Sequence, residues 1–198
     1  YDTKADVEYA MPWLSEVETI GEAAFKGYVA NNDYFTSKMR TLGVLSEIRT
    51  IGKEAFAYNN GLGSVVFGNH LQRIEESAFK SVNLLQQVEI PDSCTYIGDY
   101  AFQQCIYLSS VTIGANVEYV GKEAFALSAG LTEVFFKGAL PQTLSEDAFH
   151  GLDIYTDDKG DEQMRPVEND CNKGLVFYNY NWSESQSAAA ETTLKTHC

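Results

Sequence analysis

The chain has 198 residues, 44% of them hydrophobic and 13% aromatic, and a formal net charge of −14. That length can bury a sizeable core in a single domain, and that acidity argues against a nucleic-acid backbone or an anionic membrane face as partner, since both call for a basic surface. No apolar run approaches the ~18 residues of a membrane span, and the four cysteines form neither a disulfide framework nor a paired metal-ligand spacing.

In chain order, Val7, Tyr9, Met11 and Trp13 alternate as in a strand and predict an amino-terminal cap. A short motif then begins to recur. Its first copy is Ile20-Gly21-Glu22-Ala23-Ala24-Phe25. Four more, the first 31 residues on, follow one another at 23-residue intervals: Ile51-Gly52-Lys53-Glu54-Ala55-Phe56, Ile74 to Phe79, Ile97 to Phe102 and Val120 to Phe125. A sixth ends Glu146-Asp147-Ala148-Phe149 and carries one extra residue. Other columns keep the same register. Leu42, Val65, Val88, Val111 and Val134 lie in one, with Val44, Phe67, Ile90, Ile113 and Phe136 two residues later. A two-residue step puts both columns on the same face of a short strand. Val17, Ile48, Leu71, Cys94, Val117 and Leu140 fill a third column, three residues before the motif.

Each repeat therefore has an inward strand face and an inward Ala-Phe return, yet too few apolar groups to fold alone. Stacking coils at ~4.8 Å buries them in a continuous core. The expected architecture is a right-handed α/β solenoid of about six 23-residue coils over residues 1–149. Short parallel strands would form one face, irregular or short helical returns the other. The glycine after each key aliphatic is expected at a turn that favours a residue without a side chain. Residues 150–198 would form a carboxy-terminal cap and tail.

The array is interrupted once, by an insert within residues 26–38 that contains Tyr28, Tyr34 and Phe35. Insertions leave a solenoid as surface loops, which often carry binding; a tolerated loop packing its own aromatics is the other reading. Past Phe149, Leu152 to Tyr155 reads as a last strand. The acid-rich stretch 153–170 reads as a solvated loop, because Asp158 stands where a calcium loop needs glycine. Residues 175–182 read as a strand over the last coil, and residues 183–198 as a small helix or tail.

No catalytic or metal constellation is legible, and no cofactor is expected. Cys94 sits in an aliphatic column, Cys105 shares one with Asn59, Val82 and Ser128, and neither has a histidine at a suitable place in its coil. His70, His150 and His197 lack ligand spacing. Cys171 and Cys198 could pair in an oxidising setting. Asn181-Trp182-Ser183 is a glycosylation acceptor sequence in a secretory eukaryote. The candidate binding surface is the outward sheet face, with Val66, Gln87, Glu89, Ser110, Thr112, Glu133 and Phe135, where Val66 and Phe135 are the exposed apolar points. The insert residues Tyr28, Tyr34 and Phe35 are the second candidate. Tyr96 should stack on Tyr119, by mutual packing or as a sugar platform.

The signature Leu-x-x-Val-x-Ile, a turn, then Ile-Gly-x-x-Ala-Phe, as in Leu108 to Ile113 and Val120 to Phe125, resembles the BspA-like leucine-rich-repeat family of bacterial and protist cell-surface proteins. It covers residues 11–149, with Glu75 in place of glycine as one departure. The resemblance implies a leucine-rich-repeat solenoid that is extracellular, at the cell surface or secreted. It implies a role in adhesion or protein recognition without catalytic residues. A protein ligand is the first expectation; a glycan ligand or a structural spacer role is the alternative.

Overall fold

The computed structural model describes residues 17–27, 41–156, 162–171 and 176–179, with the side chains of Val44 and of residues beyond Gly151 set aside. The expected amino-terminal cap, the insert aromatics Tyr28, Tyr34 and Phe35, Asn181, His197 and Cys198 lie outside the described residues.

Each coil lays one strand on each of two faces. The broader face carries β2 (Thr41–Leu45), β4 (Ser64–Phe67), β6 (Gln87–Glu89), β8 (Ser110–Ile113) and β10 (Glu133–Phe136). The return face carries two-residue strands: β1 (Thr19–Ile20), β3 (Thr50–Ile51), β5 (Arg73–Ile74), β7 (Tyr96–Ile97), β9 (Tyr119–Val120) and β11 (Thr143–Leu144). These six pair in sequence order in one parallel sheet.

The returns are therefore not helical, and among the described residues no helix occurs. The architecture there is all-β rather than α/β. The physical reason lies in the glycine column. A Cβ built on Gly52 would sit 2.7 Å from the Ile20 carbonyl oxygen, and one on Gly98 2.7 Å from the Glu76 nitrogen. At Gly52 and Gly98 the absent side chain thus serves close approach of coil to coil and not a left-handed turn, although Glu75 and Ser145 make the same backbone bond to the preceding coil from this column. That approach lets Gly52, Gly98 and Gly121 donate their N–H groups to Ile20, Ile74 and Ile97 at 2.8–2.9 Å. Bonds between coils alternate with single turns inside each coil, such as Ala55 N to Gly52 O and Ala57 N to Glu54 O at 3.1 Å. Left-handed residues such as Glu54 and Tyr58 keep these turns from running on as a helix. Glu75 takes this column in its own coil and turns its carboxylate onto Arg73 at 2.7 Å.

The turn after each glycine places a non-glycine residue in the left-handed region, at Ala23, Glu54, Ser77, Tyr100 and Glu123 (φ 48–59°). Such a residue costs about 1–2 kcal/mol. The N–H groups of Ala23, Glu54, Ser77 and Tyr100 are aimed along the solenoid and bond the next coil at 2.8–2.9 Å.

Inside, the expected columns form the core. Ile51, Ile74, Ile97 and Val120 are buried, as are Phe56, Phe79, Phe102, Phe125 and Phe149. From Phe25 to Phe149 the phenyl rings make one unbroken stack, with centroids 5.1–5.5 Å apart and planes within 11°. Asn59, Cys105 and Ser128 line the next column and donate to the carbonyls of Phe25, Phe79 and Phe102. Polar side chains there satisfy backbone groups that burial would otherwise strand.

Two elements depart from the expected register. In β2 a bulge between Leu42 and Leu45 sets Leu45, not Val44, opposite Phe67, and Leu45 is buried. Beyond the array, β12 (His150–Thr156) pairs antiparallel with β13 (Glu162–Cys171). The acid-rich stretch is thus partly a hairpin strand and not a loop. Its register puts Met164 opposite Ile154 and Pro166 opposite Leu152. A two-residue alternation supports a strand, and the density of carboxylates had masked it. β14 (Val176–Asn179) adds in parallel to β10, with Phe177 opposite Val134.

Candidate functional site: a break in the strand face

The broader face is not one sheet. β2 pairs with β4, and β6, β8, β10 and β14 form a second group, but β4 and β6 are neighbours that do not pair. On the opposite side β5 pairs normally with β3 and β7. The solenoid is split on one side only.

The residue at the split explains it. Gly68, Pro91 and Gly114 share one column at 23-residue intervals. A Cβ on Gly68 would lie 2.4 Å from the Leu45 carbonyl oxygen, and one on Gly114 2.3 Å from the Pro91 carbonyl oxygen. A side chain added at Gly68 or Gly114 would collide with the preceding coil, and Pro91 puts a ring at the same place. Lys137, next in the column, carries a side chain with β8 and β10 still paired, so what sets Pro91 apart is its ring and missing N–H, not the mere presence of a side chain. Proline also has no N–H. The bond that Lys137 N makes to Ile113 O at 2.9 Å, one position past the strand pairing, has no counterpart at Pro91. Side chains close the two ends of the break: Asn83 Nδ2 donates to Asn60 Oδ1 at 3.0 Å, and Ser93 Oγ to Leu71 O at 2.8 Å.

The split opens a groove of about 500 Å³ lined by Val65, Val66, Phe67, Asn69, Glu89, Pro91, Asp92, Ser93 and Lys137. Val66 is 48% exposed. Phe67 fills the inward column yet stays partly buried, edge-on to Phe79 at 5.7 Å. Lys137 reaches across two coils to hold Glu89 at 2.6 Å. Asp92 is fixed by the Ala115 N–H at 2.9 Å and returns its own carbonyl to Asn116 Nδ2 at 2.8 Å. The site has an apolar floor and polar walls that carry two carboxylates, Glu89 and Asp92, and one cation, Lys137.

Of the sequence candidates, the groove gathers Val66 and Glu89. Gln87 is exposed beside it, while Ser110, Thr112 and Glu133 are half-buried farther along the sheet. Phe135 is not an exposed apolar point: it is half-buried, with β14 in register beside it. Asn69, Pro91, Asp92, Ser93 and Lys137 were missed. One signal could have found them, the single proline in a glycine column. Tyr107, 61% exposed, is not among the groove residues.

The two described thiols have no reactive setting. Burial pushes Cys94 up to about 11 and Cys105 up to about 12, from an ordinary thiol value of 9.0. Both remain protonated in the fold where an unfolded chain would ionise. Their contribution to stability is constant below pH 9 and falls as pH rises from there toward 11–12, by about 1.4 kcal/mol per pH unit for each thiol. Peptide mapping after alkylation near neutral pH should show Cys94 and Cys105 unmodified in the native chain and modified in denaturant; native labelling of either would contradict the burial. Among the described residues no three His, Cys, Asp or Glu side chains gather as a metal site. His70 spans coils instead, its Nδ1 2.9 Å from the Ser46 carbonyl.

The sequence profile of the BspA type leucine rich repeat region matches residues 28–155 in six copies. The chain belongs to this family. Similar structures of leucine-rich-repeat proteins come from several bacteria. The pneumococcal vaccine antigen PcpA aligns with a TM-score of 0.54 at 21% identity, over 77% of this chain and 33% of its own. A Treponema pallidum leucine-rich-repeat protein aligns at 0.46 and 18% identity, over 89% and 76%. A leucine-rich cell surface protein of Faecalibacterium prausnitzii A2-165 aligns at 0.33 and 16% identity, over 78% and 62%. At 21% identity the likeness to PcpA is one of fold, and the chain spans about a third of PcpA. Comparison with curated protein sequences finds no match.

Proposed function

We propose that this BspA-type leucine-rich-repeat chain is a non-enzymatic recognition or adhesion module at the bacterial cell surface, and that it binds a protein partner in the groove between β4 and β6. The observation that carries the location is the one-sided split. A repeat array that is otherwise continuous opens at one coil, and the opening exposes an apolar floor between polar walls. Apolar anchors inside a polar rim are the usual anatomy of a protein-binding surface. The surface setting rests on the family.

Pro91→Gly tests this directly. The variant restores both the N–H and the space that neighbouring coils have, so β4 and β6 should pair and the groove close. Amide exchange should slow at residues 65–68 and 88–91, melting temperature should rise or hold, and capture of host matrix proteins by the displayed chain should drop at least tenfold. Val66→Glu should lower capture comparably without a change in exchange. Full capture by both variants would remove the groove from the reading.

The glycan alternative has weaker support. Its insert aromatics lie outside the described residues. Its tyrosine pair is closed between the rings, 4.7 Å apart and 9° from parallel, and Arg73 covers the outer face of Tyr96, which leaves a sugar no extended platform of several rings.

A further inference from the structure

The return sheet carries its own outward column, exposed at its ends and half-buried between them. Thr19, Thr50, Arg73, Tyr96, Tyr119 and Thr143 stand in register, one per strand. Because strands are ~4.8 Å apart and the Tyr96 and Tyr119 centroids are 4.7 Å apart, the rings lie across the solenoid axis with their faces along it. The face of Tyr96 that turns from Tyr119 is covered by Arg73, whose Cζ is 3.8 Å from the ring centroid. Glu75 Oε1 holds the Arg73 Nε at 2.7 Å. The stack thus begins with a carboxylate-steered guanidinium.

Among the described residues no ring or cation covers the other end. The next residue in the column is Thr143, exposed and too short to shield a phenol ring. Tyr119 is fixed in place: its hydroxyl donates to Asp99 Oδ1 at 3.4 Å, and burial holds the phenols of both tyrosines above their ordinary value, so they stay neutral. Glu118 adjoins Tyr119 in sequence and Glu146 lies in the same coil as Thr143, both exposed. The nearby cation Lys122 is turned to Tyr100, 6.0 Å from that ring, and to Glu123 at 3.8 Å.

We propose that the open face of Tyr119, above Thr143, is a second binding site that receives an arginine side chain from a basic protein segment. Between chains it would repeat the contact that Arg73 makes with Tyr96 within this one. A guanidinium is flat and weakly hydrated, so it stacks on a ring while a carboxylate holds its edge. A chain of net charge −14 attracts such a segment from a distance. The site stands on the face opposite the groove and does not depend on it.

The experiment follows the Tyr119 ring signals by NMR in the full chain while arginine-containing Gly-Ser peptides are added. Matched lysine and glutamate peptides serve as controls. The arginine peptide should shift the Tyr119 ring signals at several-fold lower concentration than the lysine peptide, and the glutamate peptide should leave them in place. Thr143→Arg should supply the guanidinium from within and abolish the response in a folded chain, whereas Pro91→Gly should leave it intact. Unmoved ring signals, equal shifts with the glutamate peptide, or a full response in Thr143→Arg would each overturn the proposal.

Discussion

Phe102→Ala is expected to unfold the solenoid from its middle. Phe102 is fully buried and stacks on Phe79 and Phe125 at 5.1 and 5.2 Å. Truncation opens a cavity where the rings of two coils would otherwise touch, at a cost of about 3–5 kcal/mol. Two aromatic stacks disappear as well, each worth about 0.5–1.5 kcal/mol. The neighbours cannot collapse to fill the space, because their spacing is set by backbone bonds such as Phe79 N to Ala101 O and Phe102 N to Ala124 O, both at 2.7 Å. In a solenoid, stability is a sum of coils and of interfaces between adjacent coils. A central loss should therefore divide the transition: chemical denaturation should show a lower midpoint and a smaller slope as cooperativity across the gap fails. Phe149→Ala, at the end of the stack, loses one ring neighbour and should cost less. Equal losses at the two sites, or a loss at Phe102 below about 1 kcal/mol, would contradict a continuous stack.

Gly114→Ala is expected to reproduce, one coil later, the break that Pro91 makes. The added Cβ would sit 2.3 Å from the Pro91 carbonyl oxygen and 2.6 Å from its carbon. Both are backbone atoms and cannot rotate away. The coils must separate, which strains or breaks the β6–β8 ladder that joins Gln87–Glu89 to Ser110–Thr112. Overpacking costs about 1–3 kcal/mol, and each lost ladder bond adds about 1 kcal/mol, so a loss of about 2–4 kcal/mol is expected in thermal or urea unfolding. Amide exchange should quicken at residues 88–90 and 111–113 while Tyr96–Ile97 on the return side remains protected. Unchanged exchange there would mean that a side chain is tolerated at Gly114 as it is at Lys137, and would withdraw steric crowding by Pro91 as a cause of the split.

Both experiments bear on what the one-sided break costs the molecule. The return sheet and the phenylalanine stack run straight past it, so the coil before and the coil after remain joined on the far side. The groove is affordable because the solenoid is held twice, once per face, and only one of the two attachments is given up. A single-sheet fold opened at the same place would lose its only ladder.

Periodicity alone determined the coil length, the parallel stacking and nearly all of the core, because a residue that recurs every 23 positions in a stacked array must meet its own copies. Ile97 above Ile74, Phe102 above Phe79 and Tyr119 beside Tyr96 follow from that rule without coordinates. The buried, unreactive state of Cys94 was legible in the same way, from its aliphatic column. What the repeat could not reveal is how tightly the coils approach. Side chains report which face is inward, but the separation of two backbones depends on atoms common to every residue. Only the tertiary structure showed that the glycine column marks contact between coils. Contact made the returns a second sheet instead of helical turns, and it made one proline in a related glycine column enough to split the first. The register shift to Leu45 and the β12–β13 hairpin were hidden for a related reason: both lie where the repeat is interrupted or ends, and pairing there is decided by a neighbouring strand rather than by a copy of the same motif.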